Sequence, residues 1–165
     1  MEVQDTYGNV YWASPGFSEE LRIERVEALY ADYPYRTRAI ADMPEQTIPG
    51  SIFRVDNPTL SLKDQYIFPS GRLPVTPQFV PREGSASDTD GYIVVVVLSD
   101  DDSTEGSSGD ELWVFDAANL SQGPLTRLGH PELDLPFTLH SCWMRPSRPA
   151  RRPTRSVCRT TLATR

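Results

Sequence analysis

Only two histidines and two cysteines occur in the 165 residues, and each scarcity closes off a class of protein. Cys142 and Cys158 cannot build a disulfide framework, and neither a CxxC pair nor a Cys/His zinc spacing occurs, so a reducing compartment is the simplest reading. Long apolar runs are missing as well. The longest, YIVVVVL at 92–98, falls far short of the roughly 20 residues a bilayer-crossing helix needs. The opening MEVQDTYGNV lacks the basic and apolar regions of a secretory leader. A soluble, cytoplasmic chain is expected. Bases are scarce over residues 1–144, with 9 against 23 acids, whereas residues 145–165 carry seven Arg and no acid. The body therefore stands at −14 and the tail at +7, and together they give the net −7. An acidic body excludes a nucleic-acid face, because counterion release needs clustered Lys and Arg. No nucleic-acid partner is expected.

What the chain does have is punctuation. Fifteen Pro and ten Gly break a lean 38% hydrophobic content into short β-type runs. These are NVYWA (9–13), YRTRAIA (35–41), SIFRVD (51–56), DQYIF (64–68), PQFVP (77–81), GYIVVVVLS (91–99), ELWVFD (111–116) and TLHSCW (138–143). Each is bounded by turn-forming residues, the spacing of an all-β sandwich, barrel or propeller. The stretch SEELRIERVEALYADY (18–33) fits a helix capped by Ser18, although the alternation in LRIERV fits a strand almost as well.

The hairpin GYIVVVVLSD to ELWVFD is the clearest unit. Four consecutive Val leave no polar face, so the first arm is expected to be central in its sheet and buried on both sides. Trp113 and Phe115 share one face of the second arm, and DAANLSQGP reads as a turn eased by Asn119 and Gly123. All three tryptophans, Trp12, Trp113 and Trp143, are expected in the core. The acidic stretch 100–111 reads as a solvated hairpin loop. In neither register does it place both the turn Gly and the bidentate Glu of a calcium loop. His130, between Gly129 and Pro131, reads as a surface residue. His140 stands in the apolar run LPFTLHSCWM, where an imidazole needs a hydrogen-bond partner or a metal, and on its own it reads as a hydrogen-bonded core histidine.

Taken together, GRLPVTPQFVPREGSASDTDGYIVVVVLSD, ELWVFDAANLSQGPLTRL and LPFTLHSCWM resemble the C-terminal third of the carotenoid cleavage oxygenases. This family includes retinoid isomerohydrolases and stilbene-cleaving dioxygenases. The likeness rests on a PxFVPR strand, a DGY start to an apolar strand, an ELxVxDAxxLSxGP return and a PFxLH segment. It is strongest over residues 71–144, weaker over 35–70 and ends at Met144. It implies all-β architecture: about two to three blades, over residues 1–144, of a seven-bladed β-propeller with antiparallel sheets.

The resemblance further implies a non-haem Fe(II) held by four His from different blades, with His140 matching the last of them. The implied partners are O₂ and a lipophilic polyene or stilbene cleaved at a conjugated C=C bond, together with association with a membrane surface. Family ligand histidines lean on Glu residues that orient the ring. Thr76 occupies the position of one such Glu, able to accept a hydrogen bond but uncharged, and Glu20 is the best match to another. With two His in total, the chain reads as a piece of a longer enzyme, or as a non-catalytic β fragment that depends on a partner. Residues 145–165 have no core-forming content and read as a disordered Arg/Pro-rich tail from about Pro146. A polyanion-binding role for the tail is the weaker alternative to a solvated one, because no aromatic interleaves its Arg residues.

Overall fold

A computed structural model of the chain describes residues 7–18, 24–35, 37, 39, 42, 44, 46–99, 109–130, 132–138 and 140–144. Seven strands and one short helix follow in the order β1 (Asn9–Ser14), α1 (Glu24–Tyr30), β2 (Ser51–Asp56), β3 (Ser61–Ile67), β4 (Arg72–Pro81), β5 (Gly91–Ser99), β6 (Glu111–Asp116) and β7 (Thr126–Gly129). A 3-10 turn, Leu120–Gln122, separates the last two strands. The strands form two antiparallel sheets, β1-β2-β3 and β4-β5-β6-β7. The expectation of all-β, antiparallel architecture holds. No described helix is long and apolar enough to cross a membrane.

Alternation decides which side chains meet between the sheets. Along β5 the residues Ile93, Val95 and Val97 are fully buried, as are Trp113 and Phe115 on β6. They pack with Ile52 of β2 and with Phe68 just beyond β3 into one core, closed by Ala117 and Leu120. Phe68 and Trp113 approach with ring centroids 5.1 Å apart, and Tyr66 tilts onto Phe115 at 5.2 Å. Such offset aromatic pairs add to the stabilisation from apolar burial alone. β5 is central, as expected, but its second face is only half-buried: Tyr92, Val94, Val96 and Leu98 lie on it. The run of four Val seals one layer rather than two.

Glycine is required where β5 begins. A Cβ on Gly91 would come within 2.5 Å of the Val80 carbonyl oxygen and 2.7 Å of the Phe79 ring, so only a bare backbone permits the close approach of β4. Gly123, at φ +83°, ends the 3-10 turn in the left-handed region. Asn119 is extended at φ −147°, so of the two residues expected to ease this turn only Gly123 does so by its backbone. β4 carries Pro74, Pro77 and Pro81 and lies at the edge of its sheet, where a missing N–H is tolerated. Asp64 of β3 crosses to the other sheet and accepts the amides of Leu120, at 2.5 Å, and Ser121.

Several expectations need correction. The helix expected over 18–33 ends at Tyr30, and residues 19–23 of that stretch lie outside the described residues. Tyr35, Thr37 and Ala39, the described residues of the YRTRAIA run, are not in a strand. TLHSCW is not a strand at its described positions, whereas β7, which had not been expected, is. Trp12 is 60% exposed and Trp143 is 50% exposed. Trp12 stands between Tyr11 and Ala13, which pack against the core, so strand alternation turns it to the opposite face. The acidic stretch is not uniformly solvated, because Asp110 and Glu111 are buried; its residues 100–108 lie outside the described residues, as does the tail.

Truncating Trp113 to Ala should cost about 3–5 kcal/mol, against less than about 0.5 kcal/mol for Trp12→Ala. Urea unfolding of the two variants followed by circular dichroism checks the contrast. Equal shifts in midpoint would place the core elsewhere.

Candidate functional site

The ladder between β4 and β5 is interrupted at Thr76. Val75 pairs with Val96 and Gln78 with Val94, which leaves one extra residue in the Thr76–Pro77 step. Thr76 adopts φ +45°, a left-handed conformation disfavoured for a β-branched residue and costing on the order of 1–3 kcal/mol. The bulge frees the Thr76 carbonyl from the ladder. Ser141 Oγ donates to that carbonyl oxygen at 3.1 Å, and the Thr76 and Thr138 hydroxyls lie 3.3 Å apart.

These contacts bring Phe137, Thr138, His140 and Ser141 over the bulge. Between them and β1 opens a cleft of about 410 Å³, with Trp12, Pro77, Phe137 and His140 among the residues in its wall. Two of the sequence-derived site residues, His140 and Thr76, therefore share one cleft. Glu20, the third, lies outside the described residues. His140 is exposed rather than buried in a strand, which corrects the core-histidine reading, and no hydrogen bond to its ring is found among the described residues. His130 is exposed, as expected, and its Nδ1 accepts the Glu132 amide at 3.2 Å, so that nitrogen is engaged in a local bend.

Among the described residues no group of three or more His, Cys, Asp or Glu is placed to hold a metal. The described part of the cleft offers one imidazole. It fits as a single nitrogen donor to Fe(II), not as a complete ligand set.

Tyr11 was not anticipated as a cleft residue. It lies on β1 in the cleft wall, stacks on Phe79 at 6.0 Å, and its hydroxyl donates toward the carbonyl oxygens of Ala117 at 2.9 Å and Asp88 at 3.2 Å. The sequence signal was present in the alternation of NVYWA, which puts Tyr11 and Trp12 on opposite faces. Burial pushes the phenol up to about 12; Arg54 opposes the rise, and Asp88, Asp116 and Asp64 add to it. Because the folded value is raised, the stabilisation by neutral Tyr11 is fully present below the ordinary value of 10.0 and is lost as pH climbs through about 12.

A family model matches most of the chain. The family model described as Retinal pigment epithelial membrane protein matches residues 21–145. No curated protein matches the chain. Pseudomonas brassicacearum lignostilbene dioxygenase aligns with TM-score 0.50 and 24% identity, over 64% of this chain and 20% of that one. A variant of Synechocystis apocarotenoid oxygenase aligns with TM-score 0.49 and 21% identity, over 61% of this chain and 20% of that one. The chain thus spans about a fifth of the length of either structure.

Tyr11→Phe should lower stability below pH 10, and the gap from the unmodified chain should narrow as pH rises toward 12. Urea midpoints measured across that range test this, and a gap constant with pH would remove the role of the phenol. The match over residues 21–145, together with the two antiparallel sheets, makes the chain a member of the carotenoid oxygenase family.

Proposed function

We propose that the chain is the C-terminal part of a non-haem Fe(II) dioxygenase, and that its contribution to the metal site is the His140 imidazole. The reading gives residues 1–144 to the partial propeller and residues 145–165 to an Arg/Pro-rich tail outside it, in a cytoplasmic protein that works at a membrane surface. The observation that carries it is the meeting of His140 and Thr76 in one cleft, although 64 positions separate them in sequence. Both are positions picked out by the family motif. The bound metal would supply coordination positions for O₂, directed at a conjugated C=C bond of a carotenoid, apocarotenoid or stilbene.

The chain's own residues would orient and shield. Thr138 and Ser141, on either side of His140, are held at the bulge and limit how far the ring can swing. Trp12 and Phe137 give the cleft an apolar wall, suited to a lipophilic chain and poor at retaining water. Thr76 provides a neutral hydroxyl where the family places a carboxylate, so it cannot raise ligand basicity by charge.

A second reading follows from the histidine count. With His130 and His140 as the whole complement, the chain alone lacks the nitrogen donors for a four-His centre. By itself it would be a non-catalytic β module, completed by polypeptide that carries the other ligands.

Co-production with a polypeptide supplying the remaining blades of a carotenoid oxygenase fold, followed by metal analysis, tests the assignment. Iron should be retained by the assembled complex and fall more than about tenfold with His140→Ala. Iron retention unchanged by His140→Ala would overturn the ligand role. Stoichiometric iron in the unassembled chain would overturn the second reading.

A further inference from the structure

The segment that carries His140 is in no strand, so something other than a β-ladder must fix it. At its far end the fastening is the Thr76 bulge. At its near end it is one residue, Asp110, through its side chain and its backbone amide. Asp110 is 8% exposed and sits immediately before β6. Its Oδ1 accepts the Ser99 amide at 3.0 Å, and its Oδ2 accepts the Leu135 amide at 2.6 Å. The Asp110 amide donates in turn to the Leu133 carbonyl oxygen at 3.2 Å. One residue thus joins the end of β5, the start of β6 and the first residues of the segment.

The chemistry explains why this position is an aspartate. Two backbone amides converge on it from different elements, and a carboxylate offers one oxygen to each. Asparagine would turn a donor toward one of them, and both hydrogen bonds to the charged group are of the strong, charge-assisted kind. Four residues lie between Leu135 and His140, and the bulge catches the chain at Thr138 and Ser141, so little slack remains between the two fastenings.

We propose that Asp110 is a positioning residue for His140: by gripping Leu135 it tensions the segment 133–141 between hairpin and bulge and so sets the direction of the imidazole. The use of that direction for metal binding rests on the function proposed above, but the tethering does not.

The test uses the full, isotopically labelled chain without metal, so its outcome is independent of the iron assignment. Amide hydrogen exchange is read at Leu135, and the ring resonances of His140 are compared with those of His130 as an internal reference. In Asp110→Asn, Leu135 should exchange at least about tenfold faster, and the His140 ring signals should move toward those of a free histidine peptide. The His130 signals and the protection of Ile93, Val95 and Phe115 should be retained.

Leu135→Pro removes the donor on the segment while leaving the Asp110 to Ser99 bond in place, and it should shift the His140 ring in the same way. It also keeps the proposal testable if Asp110→Asn does not fold. Unmoved His140 signals in either folded variant would overturn the positioning role. So would loss of protection throughout β5 and β6 in Leu135→Pro, because the Leu135 bond would then be supporting the sheet rather than aiming the ring.

Discussion

Two sheets of three and four strands must share one apolar layer, and in this chain the layer is dominated by aromatic rings. Trp113 and Phe115 from β6 meet Phe68 and Tyr66 from the other sheet at centroid separations between 5.1 and 6.3 Å. Ile52 and the inward valines of β5 fill the spaces between them. Everything peripheral takes its place from this contact. β1 lies beside β4 because β2 is anchored through Ile52, and the cleft exists because β1 and β4 then stand side by side with residues 137–141 across them. At one end of the layer the Trp113 indole donates to Glu111, whose carboxylate lies 3.8 Å from the Arg72 guanidinium. A buried pair of this kind is costly to break and contributes little net stability.

The cleft is made from departures from regular structure. An ideal β4 would have kept an even register with β5 through Thr76. The bulge leaves a carbonyl unpaired, the Ser141 hydroxyl satisfies it, and a segment without a ladder of its own gains a seat. The strain at Thr76 and the absence of a strand among the described residues of 138–143 are in this sense one feature. Backbone polar groups near the core must be answered, and here two irregular segments answer each other through hydroxyls. Phe137 and Trp12 remain exposed beside this seat.

How much of this could be read from the residues depends on how local each cause is. GYIVVVVLS, ELWVFD and SIFRVD are strands at the expected positions, since their propensity and pattern agree with their burial. The pairing of Trp113 with Phe115 follows from period two alone. Trp12 misled because its size suggested burial, whereas its face is set by Tyr11 and Ala13, and only the packing partner identifies which face is inward. TLHSCW has strand composition but lacks a neighbouring strand to pair with among the described residues, a non-local condition. Asp110 was hidden within a run of acids whose composition suggests solvent, and its burial depends on amides 11 and 25 residues away. Thr76 and His140 were legible through the family motif, yet their meeting in one cleft required the bulge, which no residue pattern announced.

The prolines of β4 bear on how this sheet behaves beside other chains. Three of its ten residues carry no backbone donor, and a bulge interrupts the stretch between Pro74 and Pro81. A foreign strand approaching that margin would find neither an even row of amides nor a flat surface to align with, and such margins resist runaway edge-to-edge growth. β7, four residues long and exposed throughout, offers the opposite margin with too short a template to seed a stack. Both margins of the four-stranded sheet are thereby poor templates for edge pairing, through composition on one side and brevity on the other.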